Sequence, residues 1–151
     1  MSRIHLQRNA PDARRALAAL SRSADLEHRL AELVKVRVSQ MNGCAYCVDL
    51  HARLAREAGE DERRLHVLAL WREAPFFDDR ERAALALAEA LTDLGRGPLP
   101  EQVWEDAARS LTDHDLTALV VTVTSINAWN RVMIATGAQP PPLDDGDAGA
   151  P

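Results

Sequence analysis

The sequence predicts an all-α domain, and three observations carry that prediction. Alternating strand patterns are nearly absent from its 151 residues. Apolar residues recur at helical spacing, and the periodic segments are punctuated by residues that start and stop helices. A chain of this length forms one domain with room for a core that needs no disulfide staples. Six to seven helices are expected.

The first is "DARRALAAL", which follows Pro11, a residue suited to the first helical position. The second is expected from about Asp25 to Met41, with Leu26, Leu30, Leu33 and Val34 on one face. Val36 and Val38 add apolar surface elsewhere, so this helix should have neighbours on more than one side. Asn42-Gly43 ends it. A third helix should run from about Cys44 to Ala58, with Gly59 as its left-handed cap. A fourth begins after Asp61 and stops near Pro75. Asp78 or Asp79 opens "RERAALALAEALTDLG", rich in the strong helix formers alanine and leucine. "LPEQVWEDAARSL" is a shorter helix. Thr112 with Asp115 forms a capping-box-like start to the last, which should reach Thr136 before Gly137. Beyond it "AQPPPLDDGDAGAP" is rich in Pro, Gly and Asp and too poor in apolar residues to offset its ordering entropy. A helical domain over 1–138 and a disordered tail over 139–151 are therefore expected.

The formal charge of −5 and a pI near 5.5 argue against nucleic acid or an anionic membrane as partner. Most arginines are scattered among acidic neighbours, as on a solvated helical surface. "MSRIHLQRNAPDARR" has no apolar core of signal-peptide length, and no later stretch reads as a spanning helix. A cytoplasmic protein is expected, and in a reducing compartment a CxxC pair is more often catalytic or metal-binding than structural.

That pair is Cys44 and Cys47, the two cysteines of the chain, in "NGCAYCVDLH". Residues 44, 47, 51, 54, 55 and 58 share one helical stripe, so both thiols and His51 face inward with Leu54, Ala55 and Ala58. A lone cysteine or histidine on such a stripe is usually a packed core residue. Three together at this spacing weigh towards chemistry. Both cysteines fall in a first helical turn, where unpaired amides and the helix dipole favour a thiolate. The histidine four residues after Cys47 is placed to take its proton. A Cys44–Cys47 disulfide is also plausible. Side chains three apart on a helix have Cβ atoms about 5–6 Å apart, against roughly 3.8 Å in a disulfide. Closing it should tighten or fray the first turn, which suits a cycling pair.

Glu32 supplies a fourth group. In a helical hairpin turning at Asn42-Gly43, Glu32 lies about ten residues before the turn and His51 eight or nine after it. At 1.5 Å per residue their heights differ by about 3 Å, so Glu32 is placed to orient or charge-balance His51. The ordinary alternative for a glutamate is a solvated or arginine-paired carboxylate.

Glu32, eleven residues, Cys44, two residues, Cys47, three residues, His51: this arrangement in "ELVKVRVSQMNGCAYCVDLH" resembles the core signature of AhpD-like alkylhydroperoxidases, within the carboxymuconolactone decarboxylase superfamily. The resemblance extends softly over residues 25 to 137. It implies an all-helical fold assembling as a homo-oligomer, a trimer or hexamer. It also implies reduction of a hydroperoxide substrate by a cysteine pair that a dithiol reductant, a lipoyl group or thioredoxin-like protein, reopens. Carried over, Cys47 is the peroxidatic nucleophile, Cys44 the resolving thiol, and His51 with Glu32 the proton relay. No cofactor or metal is implied. The best-characterised members carry a histidine immediately before the second cysteine, where this chain has Tyr46. A phenol with a pKa of about 10 donates a hydrogen bond but is a poor base at neutral pH.

Three other readings compete. Cys-x2-Cys-x3-His with Glu32 offers four metal ligands, although structural zinc sites usually draw theirs from loops or separate elements. Lactone decarboxylation, the superfamily's other named chemistry, does not depend on a cysteine pair. A non-enzymatic assembly module would keep only the scaffold. A haem link would need His directly after the second cysteine. His5, His28, His66 and His114 read as surface or capping residues. Trp71, Trp104 and Trp129 read as core or interface anchors. Phe76 and Phe77, in a connection, are expected to line the pocket or a subunit contact.

Overall fold

A computed structural model describes residues 3–142. Among them are eight α-helices and no strand: α1 Leu6–Asn9, α2 Pro11–Ser23, α3 His28–Asn42, α4 Ala45–Glu57, α5 Glu62–Val67, α6 Asp79–Thr92, α7 Glu101–Ser110 and α8 Asp113–Thr136. Two 3-10 turns, Leu68–Leu70 and Leu94–Arg96, complete the helical content. The all-α expectation holds, and each anticipated helix is present. The eighth, α1, is a single turn without a side-chain cap or a buried residue. Residues 139–142 lack regular structure, and the rest of the anticipated tail lies outside the described residues.

α3 is the axis of the domain, packed against α4, α8 and α6. Its surface is apolar on several sides: Leu30, Leu33, Val34, Val36 and Val38 are all buried, with Leu33, Val34 and Val38 sealed completely. It starts three residues later than anticipated, because the Glu27 carboxylate accepts the backbone N–H groups of Arg29 and Leu30 as the N-cap. α5 is shorter than anticipated. Val67 leaves helical geometry and the segment tightens into the Leu68–Leu70 turn, whose Leu68 is fully buried. α6 opens with a complete capping box between Asp78 and Glu81. α8 opens on Thr112, whose hydroxyl accepts the Asp115 N–H.

The α3–α4 turn positions the site. Gly43 at φ 70° adopts the left-handed conformation, donating to the Gln40 carbonyl, while the Cys44 N–H reaches the Ser39 carbonyl. Side chains then lock this turn to α8. Asn42 Nδ2 donates to Asn130 Oδ1 at 2.9 Å and Asn127 Oδ1 at 3.0 Å, and Asn130 Nδ2 donates to Ser39 Oγ at 3.0 Å. Asn130 is wholly buried, so these bonds satisfy an amide that water does not reach.

α8 corrects one expectation. It is long and apolar enough, by length and composition, to cross a membrane, whereas the sequence reading found no such stretch. Here it packs on α2, α3, α4, α6 and α7. Its Leu116, Leu119, Val123 and Ile126 belong to the core.

Candidate active site

Cys44 and Cys47 are joined in a disulfide, with Cα atoms 5.3 Å apart. Their backbone settings differ from the anticipated pair of helical neighbours. Cys44 stands outside α4 as its N-cap, at φ −92° and ψ 92°, and Cys47 occupies the first turn. Cys44 therefore reaches Cys47 from an extended N-cap rather than from within the helix, at a Cα separation ordinary for a disulfide. The Cys47 N–H points at Cys44 Sγ, 3.3 Å away, so a first-turn amide is satisfied by sulfur. Both cysteines are almost fully buried.

One turn beyond Cys47, His51 is partly buried, and its Nδ1 lies 2.7 Å from Glu32 Oε2. The hairpin thus delivers the pairing that helical rise anticipated. Glu32 is 2 % exposed. Its other oxygen, Oε1, accepts from Lys35 Nζ at 2.7 Å, one helical turn along α3. Burial alone would raise the Glu32 pKa, but the hydrogen bonds and charges of His51 and Lys35 outweigh it and hold the carboxyl below its usual range. Glu32 is therefore a carboxylate at neutral pH. A neutral imidazole that donates Nδ1–H to it keeps a lone pair on Nε2.

Cys47 and His51 both line a pocket of about 270 Å³. Tyr46, Lys35 and Leu50 continue its wall on the α3–α4 side, while Ser125, Ile126, Trp129 and Met133 of α8 and Arg14 and Ser21 of α2 close the other. Cys44 is not among the lining residues. Trp129, read from sequence as a core or interface anchor, is half-buried and contributes a pocket wall, its Nε1 donating to Ser21 Oγ at 2.9 Å. Lys35 was missed: a lysine three residues after a glutamate reads as a solvated helical pair until Glu32 is known to be buried. Phe76 and Phe77 do not line this pocket. Phe77 belongs to the core, and the Phe76 ring packs under Arg63. His5, His28, His66 and His114 are all exposed, as anticipated. Among the described residues no group of three or more His, Cys, Asp or Glu side chains is arranged to hold a metal ion.

Other buried ions have partners that explain them. Arg64 binds Glu60 and Glu81 at 2.6 and 2.5 Å, and Glu89 takes Arg37, Arg72 and Trp71. These clusters tie helices together away from the pocket.

Residues 9–90 match the carboxymuconolactone decarboxylase family. The uncharacterized protein YdfG of Bacillus subtilis (strain 168) is 37% identical over 117 residues, which cover 78% of this chain and 80% of YdfG. Among solved structures, ATU0492 of Agrobacterium tumefaciens is a protein of unknown function proposed to be the antioxidant defence protein AhpD. It superposes with a TM-score of 0.90 at 33% identity, over 95% of this chain and 100% of its own. The debrominase Bmp8 shares the fold at a TM-score of 0.76 and 21% identity, over 87% of this chain and 72% of Bmp8.

Proposed function

The chain belongs to the carboxymuconolactone decarboxylase family as an AhpD-like member, and from that premise we propose that it is a thiol-dependent peroxidase reducing hydroperoxides through Cys44 and Cys47. The observation that carries this reading is a bonded cysteine pair whose Cys47 lines one pocket with His51, the imidazole held by Glu32 at 2.7 Å. Family membership supports an enzyme; the cysteine pair supports this chemistry over lactone decarboxylation, which has no use for it.

The cycle begins when an external dithiol reduces the disulfide and leaves as a disulfide itself. His51, its Nδ1–H held by Glu32, accepts the Cys47 proton at Nε2. The thiolate attacks the distal oxygen of the hydroperoxide. The O–O bond breaks, its electron pair leaves with the alkoxide, and the proton on His51 completes the alcohol. Cys47 is now a sulfenic acid. Cys44 attacks its sulfur, the S–O bond breaks, water departs and the disulfide is restored.

Cys47, which lines the pocket, is assigned as the peroxidatic residue, and Cys44, outside that lining, as the resolving thiol. Tyr46 contributes a hydrogen-bond donor rather than a base, so the relay consists of His51 and Glu32. The same reading makes a lipoyl group or thioredoxin-like protein the reductant, the cytoplasm its setting, a homo-oligomer of three or six copies its assembly, and residues 1–138 its catalytic domain.

The test is hydroperoxide consumption with dithiothreitol as donor. Cys47→Ser abolishes it. Cys44→Ser, reduced and then freed of dithiothreitol, consumes a single equivalent and retains a sulfenic acid that dimedone traps on Cys47. Turnover unchanged by Cys47→Ser refutes the assignment.

A further inference from the structure

The pocket is charged unlike the rest of the chain. The protein carries a formal charge of −5, yet the pocket lining includes two cations, Arg14 and Lys35, and no carboxylate. Lys35 is already engaged by Glu32, whose buried negative charge it shares with His51. Arg14 is different. Among the described residues its guanidinium has no ion pair and no hydrogen bond, whereas the adjacent Arg15 is neutralised by Asp12. The surrounding segment amplifies the field: residues 3–23 hold five arginines, at 3, 8, 14, 15 and 22, against one acid, Asp12. Much of the remaining lining is apolar, with Leu50, Ile126, Trp129 and Met133.

We propose that the pocket selects a small amphiphilic hydroperoxide bearing a carboxylate, with Arg14 as the anchor for that carboxylate. This specifies the substrate class within the peroxidase reading and rests on it. A guanidinium meets a carboxylate through two parallel N–H bonds, a match that a neutral ester or alcohol does not offer. The apolar wall takes the chain, leaving the hydroperoxide at Cys47 and the carboxylate at the α2 rim. The volume of about 270 Å³ is slightly below the ordinary range of ligand pockets, which favours a short chain.

Two measurements separate this inference from the reading beneath it. In the first, hexanoate and hexanol are titrated calorimetrically into the oxidised full-length protein. Hexanoate binds about tenfold more tightly, the scale of one charge-assisted hydrogen-bonded pair. Arg14→Gln removes the difference, and Arg14→Glu reverses it. Arg22→Gln, on the same helix but outside the pocket, keeps it. In the second, the reduced protein turns over 6-hydroperoxyhexanoic acid with a kcat/KM about tenfold above that of its methyl ester, and the ratio falls towards one in Arg14→Gln. Equal affinity for hexanoate and hexanol, a difference that survives Arg14→Gln, or an equal loss in Arg22→Gln overturns the anchor, whatever reaction the protein runs. A wild type that prefers hexanoate but consumes neither hydroperoxide overturns the peroxidase reading instead.

Discussion

Glu32 and His51, nineteen residues apart on the two arms of the α3–α4 hairpin, meet at 2.7 Å through Oε2 and Nδ1, with the carboxylate almost sealed from solvent. A buried carboxylate held this way is both a stabilising partner and a sensor of acid. Its pKa is lower in the folded chain than in the unfolded one. Its stabilising contribution is therefore complete above the unfolded value of about 4.3 and is lost as pH falls through the folded value. Glu32→Gln removes that dependence. Denaturant midpoints recorded from pH 7 to pH 3 should fall more steeply for wild type than for the variant below about pH 4.3. Parallel curves would mean that Glu32 is not held as a carboxylate.

Lys35 should set where that carboxyl titrates in the working enzyme. Its ammonium supplies a hydrogen bond and a charge that lower the Glu32 pKa. Lys35→Met removes both. The acid limb of kcat/KM for hydroperoxide should then move to higher pH, while Lys35→Arg should leave it near the wild-type position. A variant that loses rate equally at every pH would give Lys35 a role other than tuning Glu32.

Asn130 pins the turn that presents Cys44. Asn130→Ala leaves Ser39 and Asn42 short of a partner in a sealed site and should cost about 1–3 kcal/mol in urea-induced unfolding. A loss below about 0.5 kcal/mol, the range of ordinary surface changes, would show that the amide network does not hold the hairpin to α8.

Much of this arrangement was legible in the sequence because two simple periods govern it. The 3.6-residue turn places Cys47, His51 and Ala55 on one face, and the 1.5 Å rise brings Glu32 level with His51 across a turn marked by Asn42-Gly43. The legible part ends where helices distant in sequence meet. Arg14, Ser21, Trp129 and Met133 come to the pocket from α2 and α8, and no local spacing relates them to the cysteines. Trp129 in particular looks like any half-buried anchor until Ser21 is found bonded to its Nε1. Cys44 was anticipated inside the helix rather than as its cap, since cysteine is not among the usual capping residues and the capping sulfur shows only in the geometry. α8 was underestimated as an apolar stretch because Asn127, Asn130 and Arg131 punctuate it. Two of those polar groups are spent on the Asn42 contacts rather than on solvent.

The central claim is that Cys44 and Cys47 act as one two-electron unit on a hydroperoxide, and a single turnover tests it most directly. Protein reduced with dithiothreitol and freed of excess reductant is mixed anaerobically with one equivalent of tert-butyl hydroperoxide, and thiols and alcohol are counted. Two thiols should disappear for each tert-butanol formed, with the Cys44–Cys47 disulfide recovered by peptide mapping. Hydroperoxide that persists beside two intact thiols would contradict the account.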